Sequence, residues 1–476
     1  MSKRKRRIVI IGAGPAGLGC GYELSAHLKE KNIEVLILEK NKSVGGLART
    51  QRFLGYNFDV GPHRFYTKNE QVLKLWKTVL KSDFVVVKRL TSILYRNKYF
   101  VYPIQLRDVM SKLGFLESAK IGLSYLEAKL FIKPRPPKTL EDWVTRHFGK
   151  KLYTMFFKNY NEKVWGIPCE EIGAEWAAQR IKNLSLSEIV RTAIFGQKKR
   201  KAKSLVNLFH YPKKGAGQMY EKMASIIKRR GIKVLTDCEV VSVSHCDSKI
   251  SVVTYRDNGR LKKVNVDFLF SSMPLTGFVQ TLNPKSPSKV INAAKKLYYR
   301  DHVTVNLLVK NSGLFKENWI YVHSPEVMTA RVSNYNNFEK DRGSNKKYAA
   351  IAVEYFSFRK DTLWNMSDEE LIDFAIKELG IVQIISPEMV VNGFVIREVD
   401  SYPTYYLGHK PYYDLLKEYV MKFKNLELIG RGGMYKYNNM DHSIYSGILA
   451  ARNFLHGERL YDVWSINEDA MYLEEK

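Results

Sequence analysis

The chain opens on a basic run and turns apolar and β-branched at residues 7–11, a short apolar stretch closed by glycine. Such a stretch is too short for a helical face and predicts a buried strand. Residues 12–17 then read as a glycine turn, 18–29 carry apolar positions at helical spacing, and 33–38 predict a second buried strand. Residues 105–200 predict largely helical structure, with no glycine between Gly122 and Gly149. A loop is expected at 210–217, a helix at 218–230, and strands at 233–244 and 250–255. Residues 303–309, 348–355 and 389–397 are β-like, 425–429 predict a short apolar strand ending at a glycine, and 442–455 predict a helix. Neither an internal repeat nor a low-complexity linker interrupts this pattern. The tail from Gly457 has six acidic against two basic residues and carries Trp464, so it is expected to pack.

With 476 residues the chain has length for about three domains. Its 29 Tyr, 23 Phe and 7 Trp exclude a disordered chain. The composition also excludes collagen, coiled coil and disulfide scaffold. No apolar run reaches the roughly 18 residues of a spanning helix. Cysteines at 20, 169, 238 and 246 show neither CxxC nor zinc-finger spacing, so no metal is expected and a reducing compartment fits. The basic start followed by apolar residues has the outline of a signal peptide. It reads better as a strand entering a glycine loop, without a small-residue cleavage site, and a cytoplasmic location is expected.

Seventy-seven Lys and Arg against 48 Asp and Glu give a net charge of +29. Part of the excess is clustered at Lys198, Lys199, Arg200, Lys201 and Lys203, with Lys213, Lys214, Lys228, Arg229 and Arg230 further on. One reading is a solvated lysine-rich surface. The other is attraction to anions, either a phosphorylated substrate or peripheral contact with an anionic membrane. The chain carries no zinc finger, RNP-type motif or basic zipper, so nucleic acid is not expected as a partner.

Gly12, Gly14 and Gly17 form G-x-G-x-x-G between the predicted strand and helix. The first glycine makes the turn, the second lets a pyrophosphate approach the backbone, and the third lets helix and strand pack closely. The helix N-terminus adds free N–H groups and a positive dipole end. Glu39 ends the second strand 22 residues after Gly17, where a ribose-binding acid belongs. Directly afterwards comes Val44-Gly-Gly-Leu-Ala-Arg-Thr50, whose glycine pair can bring more backbone to the same pyrophosphate. This GG-x-x-R-T sequence resembles the second motif of FAD-binding amine-oxidase-like flavoproteins. The resemblance implies FAD rather than NAD, held by Gly12, Gly14, Ala16, Gly17, Glu39, Lys40, Gly46, Leu47 and Arg49, with Val240 from a later strand.

Other segments narrow the resemblance. Asp59-Val-Gly-Pro-His-Arg-Phe-Tyr-Thr67 is similar to the glycine-histidine segment of UDP-galactopyranose mutases, which implies that His63 lies beside the flavin ring. Asn159-Tyr-Asn-Glu-Lys-Val-Trp-Gly166 resembles the segment that offers aromatics to the uracil, here Tyr160 and Trp165; both residues also suit a core. Arg180 falls where that family has an arginine near the nucleotide, and Arg331 and Tyr355 where it has a diphosphate arginine and tyrosine. Gly430-Arg-Gly-Gly-Met-Tyr-Lys-Tyr-Asn-Asn-Met-Asp441 resembles its final motif, which implies Gly430, Arg431, Asn439 and Met440 at the cofactor and Arg431 and Tyr437 at the substrate. Departures are visible. Tyr211-Pro-Lys-Lys-Gly-Ala-Gly217 is closer to protoporphyrinogen-oxidase-type relatives, Asn439 replaces an acidic residue, and Tyr160-Asn161 replaces a tyrosine-threonine.

The resemblance implies an α/β fold: a doubly wound, Rossmann-type FAD domain assembled from 1–85, 205–290 and 420–476. A helical insertion at 105–200 would cover the substrate, and an antiparallel sheet domain at 291–419, with 86–104, would wall the flavin. It implies redox-neutral isomerisation of a nucleotide sugar, with N5 of reduced FAD as nucleophile, His63 ordering the flavin face, and Arg331 and Arg431 holding the diphosphate. The oligomeric state stays open. The alternative is an FAD-dependent oxidase or dehydrogenase, in which the arginines make structural salt bridges. A third possibility is a non-catalytic flavoprotein drawn to membranes by its basic face.

Overall fold

The computed structural model describes residues 4–131, 135–174, 208–338 and 347–467. Arg180 and the basic run at 198–203 lie outside the described residues. At the centre is a five-stranded parallel sheet in the order Leu426–Leu428, Phe268–Ser271, Arg6–Ile11, Ile33–Leu38, Lys233–Leu235. Distant stretches of sequence build it, as a domain of discontinuous segments requires. The first strand occupies the middle, and Ile8, Val9 and Ile10 are wholly buried, as expected for a parallel sheet covered on both faces.

Helix Pro15–Ser25 springs from the glycine turn, with a proline in its first turn, where the missing N–H costs nothing. It starts earlier and stops earlier than the 18–29 read from periodicity. Against it lies helix Met440–His456 in backbone-to-backbone contact. A Cβ on Gly447 would sit 2.0 Å from the Ala16 carbonyl oxygen, and one on Gly19 would sit 2.6 Å from that of Ile444. Residues more than 400 positions apart thereby fix the two glycine-bearing loops of the sheet relative to each other.

A seven-stranded sheet runs Val390–Pro403, Tyr299–Lys310, Tyr348–Ser357, Arg331–Asn334, Trp319–Val322, Thr91–Tyr95, Lys98–Val101. It is antiparallel as expected, except that Trp319–Val322 pairs in parallel with Thr91–Tyr95. Its two faces alternate in sequence. Val303, Val305, Leu307, Val353 and Tyr355 join Leu371, Ala375 and Leu379 of helix Asp368–Ile381 in one apolar core. Positions one residue out of step, such as Thr304 and Glu354, belong to the other face. Helices Leu106–Leu113, Phe115–Phe131, Leu140–Phe148 and Asn159–Trp165 form the helical part; from the last two, Trp143, Phe148 and Trp165 pack with Ile93 and Phe100 of the sheet.

Some boundaries differ from the sequence reading. The strand expected at 233–244 is two: Lys233–Leu235 joins the parallel sheet, and Cys238–Cys246 pairs with Lys249–Asp257. Between them Asp237 has φ +59°, a left-handed kink that breaks the ladder and that aspartate tolerates. The loop expected from 210 is strand as far as Pro212, because Leu208–Pro212 pairs with Phe84–Lys88. In the tail, Val463 and Trp464 are buried and Lys436 donates to the Trp464 carbonyl. No helix among the described residues is long and apolar enough to cross a membrane.

The helix contact yields a direct expectation. Gly447→Val forces apart two backbones that have no side chain to yield, and overpacking of this kind costs about 1–3 kcal/mol or more. Calorimetry should show a lower melting temperature, accompanied by weaker flavin retention because both loops at the cradle shift. A melt equal to the native one would remove the contact from its proposed role.

Candidate functional site

A cavity of about 750 Å³ lies between the carboxyl ends of the parallel strands and the seven-stranded sheet. Ligands of open α/β sheets bind at such strand ends. Gly12, Gly14, Ala16, Glu39, Lys40, Gly46, Leu47, Val240, Gly430, Asn439 and Met440 line one end, each expected at the cofactor. Gly12 has φ +94°, and a Cβ there would meet Ser272 Oγ at 2.1 Å. Gly14 is different: its φ is −78° and an added Cβ would meet only the Gly46 backbone, Cα at 3.7 Å and N at 3.9 Å, both ordinary contacts. Its missing side chain leaves room for a ligand rather than for protein. The two glycine turns lie back to back, with the Gly45 N–H donating to the Ala13 carbonyl at 2.8 Å.

Glu39 is buried, and its oxygens accept the backbone N–H groups of Ala13 at 2.7 Å and Asn41 at 2.9 Å. Burial pushes its carboxyl up, while those two N–H groups oppose the rise. Each oxygen keeps a further lone pair for a ribose hydroxyl. Open backbone at Gly14, a helix N-terminus and this acid therefore fit the pyrophosphate and ribose of a dinucleotide. Two expected cofactor residues do not line the cavity. Gly17 is consumed by packing, since a Cβ there would lie 1.9 Å from the Gly12 carbonyl oxygen. Arg49 braces the second turn instead, donating to the Gly46 carbonyl at 3.1 Å and pairing with Glu398.

His63 also lines the cavity, next to Leu47 of the second glycine turn. Its Nε2–H donates to the Val60 carbonyl at 2.9 Å. Burial, then the Arg431 charge, lowers its pKa to about 4 against the pull of the Val60 and Leu47 carbonyls. The ring is neutral at ordinary pH. Its loop is anchored by Asp59, which is 1% exposed and accepts from the Tyr211 hydroxyl, Thr50 Oγ1 and the Ala216 N–H. The protoporphyrinogen-oxidase-like segment at 211–217 thus acts as the buttress of the His63 loop.

The arginines differ sharply. Arg331 makes a two-pronged pair with Glu354, Nε to Oε1 at 2.6 Å and Nη2 to Oε2 at 2.5 Å, and His302 Nε2 approaches Oε2 at 3.1 Å. Glu354 is wholly buried; burial would raise its carboxyl, but the Arg331 charge and these hydrogen bonds hold it at about 2. Arg431 lies over the neighbouring rings of Tyr402 and Tyr437, 4.9 Å from each centre, the two rings themselves being 5.5 Å apart, with Nε donating to the Asn438 carbonyl at 2.8 Å. Among the described residues no carboxylate lies within ion-pair distance of it. Stacking on two π-faces stabilises the cation without neutralising it.

Three expected substrate residues stand back from the cavity. Tyr355 is on the apolar face of its strand, 1% exposed, its hydroxyl accepting from Thr329 Oγ1 at 3.1 Å. Trp165 is 2% exposed behind Tyr437, with ring centres 6.0 Å apart. Tyr160 stacks on His323 at 4.6 Å and meets Tyr321 edge-on at 5.6 Å, one ring behind the wall. The phenols at the cavity are instead Tyr66, Tyr102, Tyr321, Tyr402 and Tyr437, and only Tyr437 was read from the sequence. Tyr321 has a signal only in pairing: it lies directly opposite Arg331 on the neighbouring strand.

Comparison with known proteins agrees with this geometry. The family described as flavin containing amine oxidoreductase matches residues 15–455, and the chain belongs to that family. A dTDP-fucopyranose mutase of Escherichia coli is 30% identical over 180 residues, 35% of this chain and 44% of that protein. A protein of Klebsiella pneumoniae described as "Probable UDP-galactopyranose mutase" is 20% identical over 456 residues, 94% of this chain and 95% of its own. A crystal structure of reduced UDP-galactopyranose mutase superimposes with a TM-score of 0.84 over 98% of both chains, at 20% identity, which establishes the shared fold. The cofactor is FAD.

Two outcomes follow. Gly14→Val meets no backbone obstacle, so the variant should fold with an unchanged apoprotein melt while its flavin content falls by roughly tenfold or more, the size of effect expected when close backbone contacts are lost. Cofactor release and absorbance measure it. Removing Arg331 leaves Glu354 buried without its main partner, at a cost of about 3–5 kcal/mol. In Arg331→Met the folded state then takes up a proton on Glu354 that the unfolded chain holds less tightly at the same pH. The stability deficit at pH 7 should shrink as pH falls through that raised carboxyl value. Native Glu354 contributes the opposite slope, its stabilisation being lost as pH falls below the usual carboxyl value towards about 2. The double variant Arg331→Met with Glu354→Gln should recover much of the loss and its pH dependence. Denaturant titration of the three proteins at several pH values tests this.

Proposed function

We propose that this flavoprotein interconverts ring forms of a nucleotide-linked sugar, UDP-bound in the first instance, without net oxidation. The observation that carries the reading is Arg431: a cation lying over two neighbouring tyrosine rings, free of carboxylate partners among the described residues, in the same cavity as a dinucleotide cradle. A diphosphate is suited to such a site because a planar guanidinium makes paired contacts to phosphate oxygens. The mutases among the similar proteins, and the superposition along the whole chain, support it.

Reduced FAD, when bound, supplies the nucleophile for the anomeric carbon. The residues of the chain do the rest. Arg431 would take up negative charge as the anomeric C–O bond to the diphosphate breaks, and would keep the leaving group close for its return to the same carbon. Arg331, already paired with Glu354, adds directed N–H groups rather than a full charge. Tyr321, Tyr402 and Tyr437 would complete the hydrogen bonds to phosphate or sugar oxygens. Neutral His63 brings no charge; with its Nε2–H committed to Val60, it would order the face on which FAD lies. A second reading, an FAD-dependent oxidase, is favoured by the Arg331–Glu354 pair, because there one arginine makes the salt bridge which that reading expects.

Isothermal titration of the holoenzyme with UDP separates the two. Arg431→Ala should lose about 1.5–3 kcal/mol of binding, roughly tenfold to over a hundredfold in affinity, while retaining FAD. Arg431→Lys should restore only part, since an ammonium cannot make the planar fork. Unchanged UDP affinity in Arg431→Ala would reject the nucleotide-sugar reading, and stoichiometric peroxide or reduced acceptor per turnover would select the oxidase.

A further inference from the structure

Helix Phe115–Phe131 of the helical part turns its more apolar side to solvent. Its inward side is sparse: Ile121 and Ala128 are buried, while Glu117, Ser118, Ser124 and Tyr125 are half-buried. Outside lie Phe115, Leu116, Leu123, Leu126, Leu130 and Phe131. The five most exposed large apolar side chains among the described residues all belong to this helix, from Phe115 at 84% down to Leu123 at 67%. Single exposed leucines are ordinary, but a set gathered on one helix face marks an interaction surface.

The pattern has a shape. Leu116, Ala119, Leu123, Leu126 and Leu130 recur every three or four positions and so form one stripe along the helix. At about 3.6 residues per turn, Lys120 and Lys129 fall at opposite edges of that stripe, and both are exposed. Glu127 is the one exposed acid of the helix. Neighbouring acids are already held by cations: Glu117 by Lys120 at 2.8 Å and Lys151 at 3.0 Å, and Asp108 by Lys112 at 2.6 Å. From Lys129 to Lys138 the sequence carries four basic residues and no acid, and Arg135 and Lys138 are exposed.

Charge and length together select what covers this face. The helix is not long and apolar enough to cross a bilayer, and its inward side packs on protein, so a bilayer meets it side-on. A second copy would bring two chains of +29 together at their basic rims, which repel. An anionic lipid surface instead offers hydrocarbon to the stripe and phosphate to the lysines, whose stems lie along apolar surface while their ammonium groups stay in the headgroup layer.

We propose that helix Phe115–Phe131 docks the protein on an anionic membrane surface. The helix lies in the plane of the headgroups with its Leu and Phe side chains among the acyl chains. Lys120, Lys129 and the basic segment to Lys138 face the anionic headgroups. None of these side chains lines the cavity, so the inference is independent of how the cavity is read.

The test is flotation of the holoenzyme with vesicles of phosphatidylcholine alone and of phosphatidylcholine mixed with phosphatidylglycerol, alongside sedimentation velocity without lipid. The native protein should float with the mixed vesicles, far less with the neutral ones, and should be released as salt rises. The triple variant Leu116→Gln, Leu123→Gln, Leu130→Gln should lose roughly tenfold or more of that binding. Its melt and flavin content should be unchanged, because these side chains meet solvent in the free protein. Lys120→Gln with Lys129→Gln should weaken binding to the mixed vesicles by roughly tenfold. Leu261→Gln, at an exposed leucine of strand Arg260–Asn265, should bind as the native protein does. Absence of binding to the mixed vesicles, or equal binding by the triple variant, overturns the proposal. A dimer that the triple variant abolishes assigns the face to a second copy, and a lowered melt of that variant assigns it to another segment of this chain; either result overturns the membrane.

Discussion

Close backbone contact around helix Pro15–Ser25 is the constraint on which the site depends. The helix touches the Gly12 carbonyl through Gly17, Ile444 through Gly19, Gly447 through Ala16, and Gly430 through Ala16 again. None of these approaches admits a Cβ. They lock the ends of two parallel strands and the start of the last helix around one point. Only Gly14, of the first three glycines, would bring an added Cβ no closer than ordinary van der Waals contact to its protein neighbours. The cradle is therefore a by-product of packing: everything near it is pressed together except the one position left open to a ligand. That division explains why glycine is needed at each position and why the needs differ.

The opposite wall is organised by charge. A buried carboxylate costs several kcal/mol unless compensated, so Glu354 ties up the Arg331 guanidinium and draws in His302. Asp59 plays the same part for the His63 loop, with its charge spread over a phenol, a hydroxyl and a backbone N–H. Both acids are satisfied entirely by protein. Arg431 is supported by aromatic faces instead, with no carboxylate at ion-pair distance among the described residues.

The cofactor half was legible because its chemistry is local. A strand, a glycine turn and an acid at the next strand end lie within 40 residues, and each glycine reports a backbone demand. Tyr355 shows why the substrate half was less so. Side-chain direction in a strand has period two, and the register that sets Arg331 against Glu354 puts the next residue on the apolar face. A motif match shifted by one position in facing is invisible until the partner strands are known. Tyr102, Tyr321 and Tyr402 come from three different strands or loops, and nothing in their own neighbourhoods marks them. Asp59 was part of a quoted motif, yet its importance comes from Tyr211, 152 residues away. Long-range pairing, rather than composition, decides these cases.

The unequal arginines bear on catalysis in the proposed reading. Two full cations on a diphosphate would stabilise the bound substrate and the departing group alike, which tightens binding without speeding the chemistry. Pairing Arg331 with Glu354 removes most of that uniform attraction while keeping its N–H groups aimed. The diphosphate gains charge only as the anomeric bond breaks, and Arg431 responds to that gain because its charge is not already balanced. Its support by two rings, rather than by a carboxylate, is then what makes the stabilisation selective for the separated state. The same logic limits how tightly the group is held once free, so that it can return to the carbon it left.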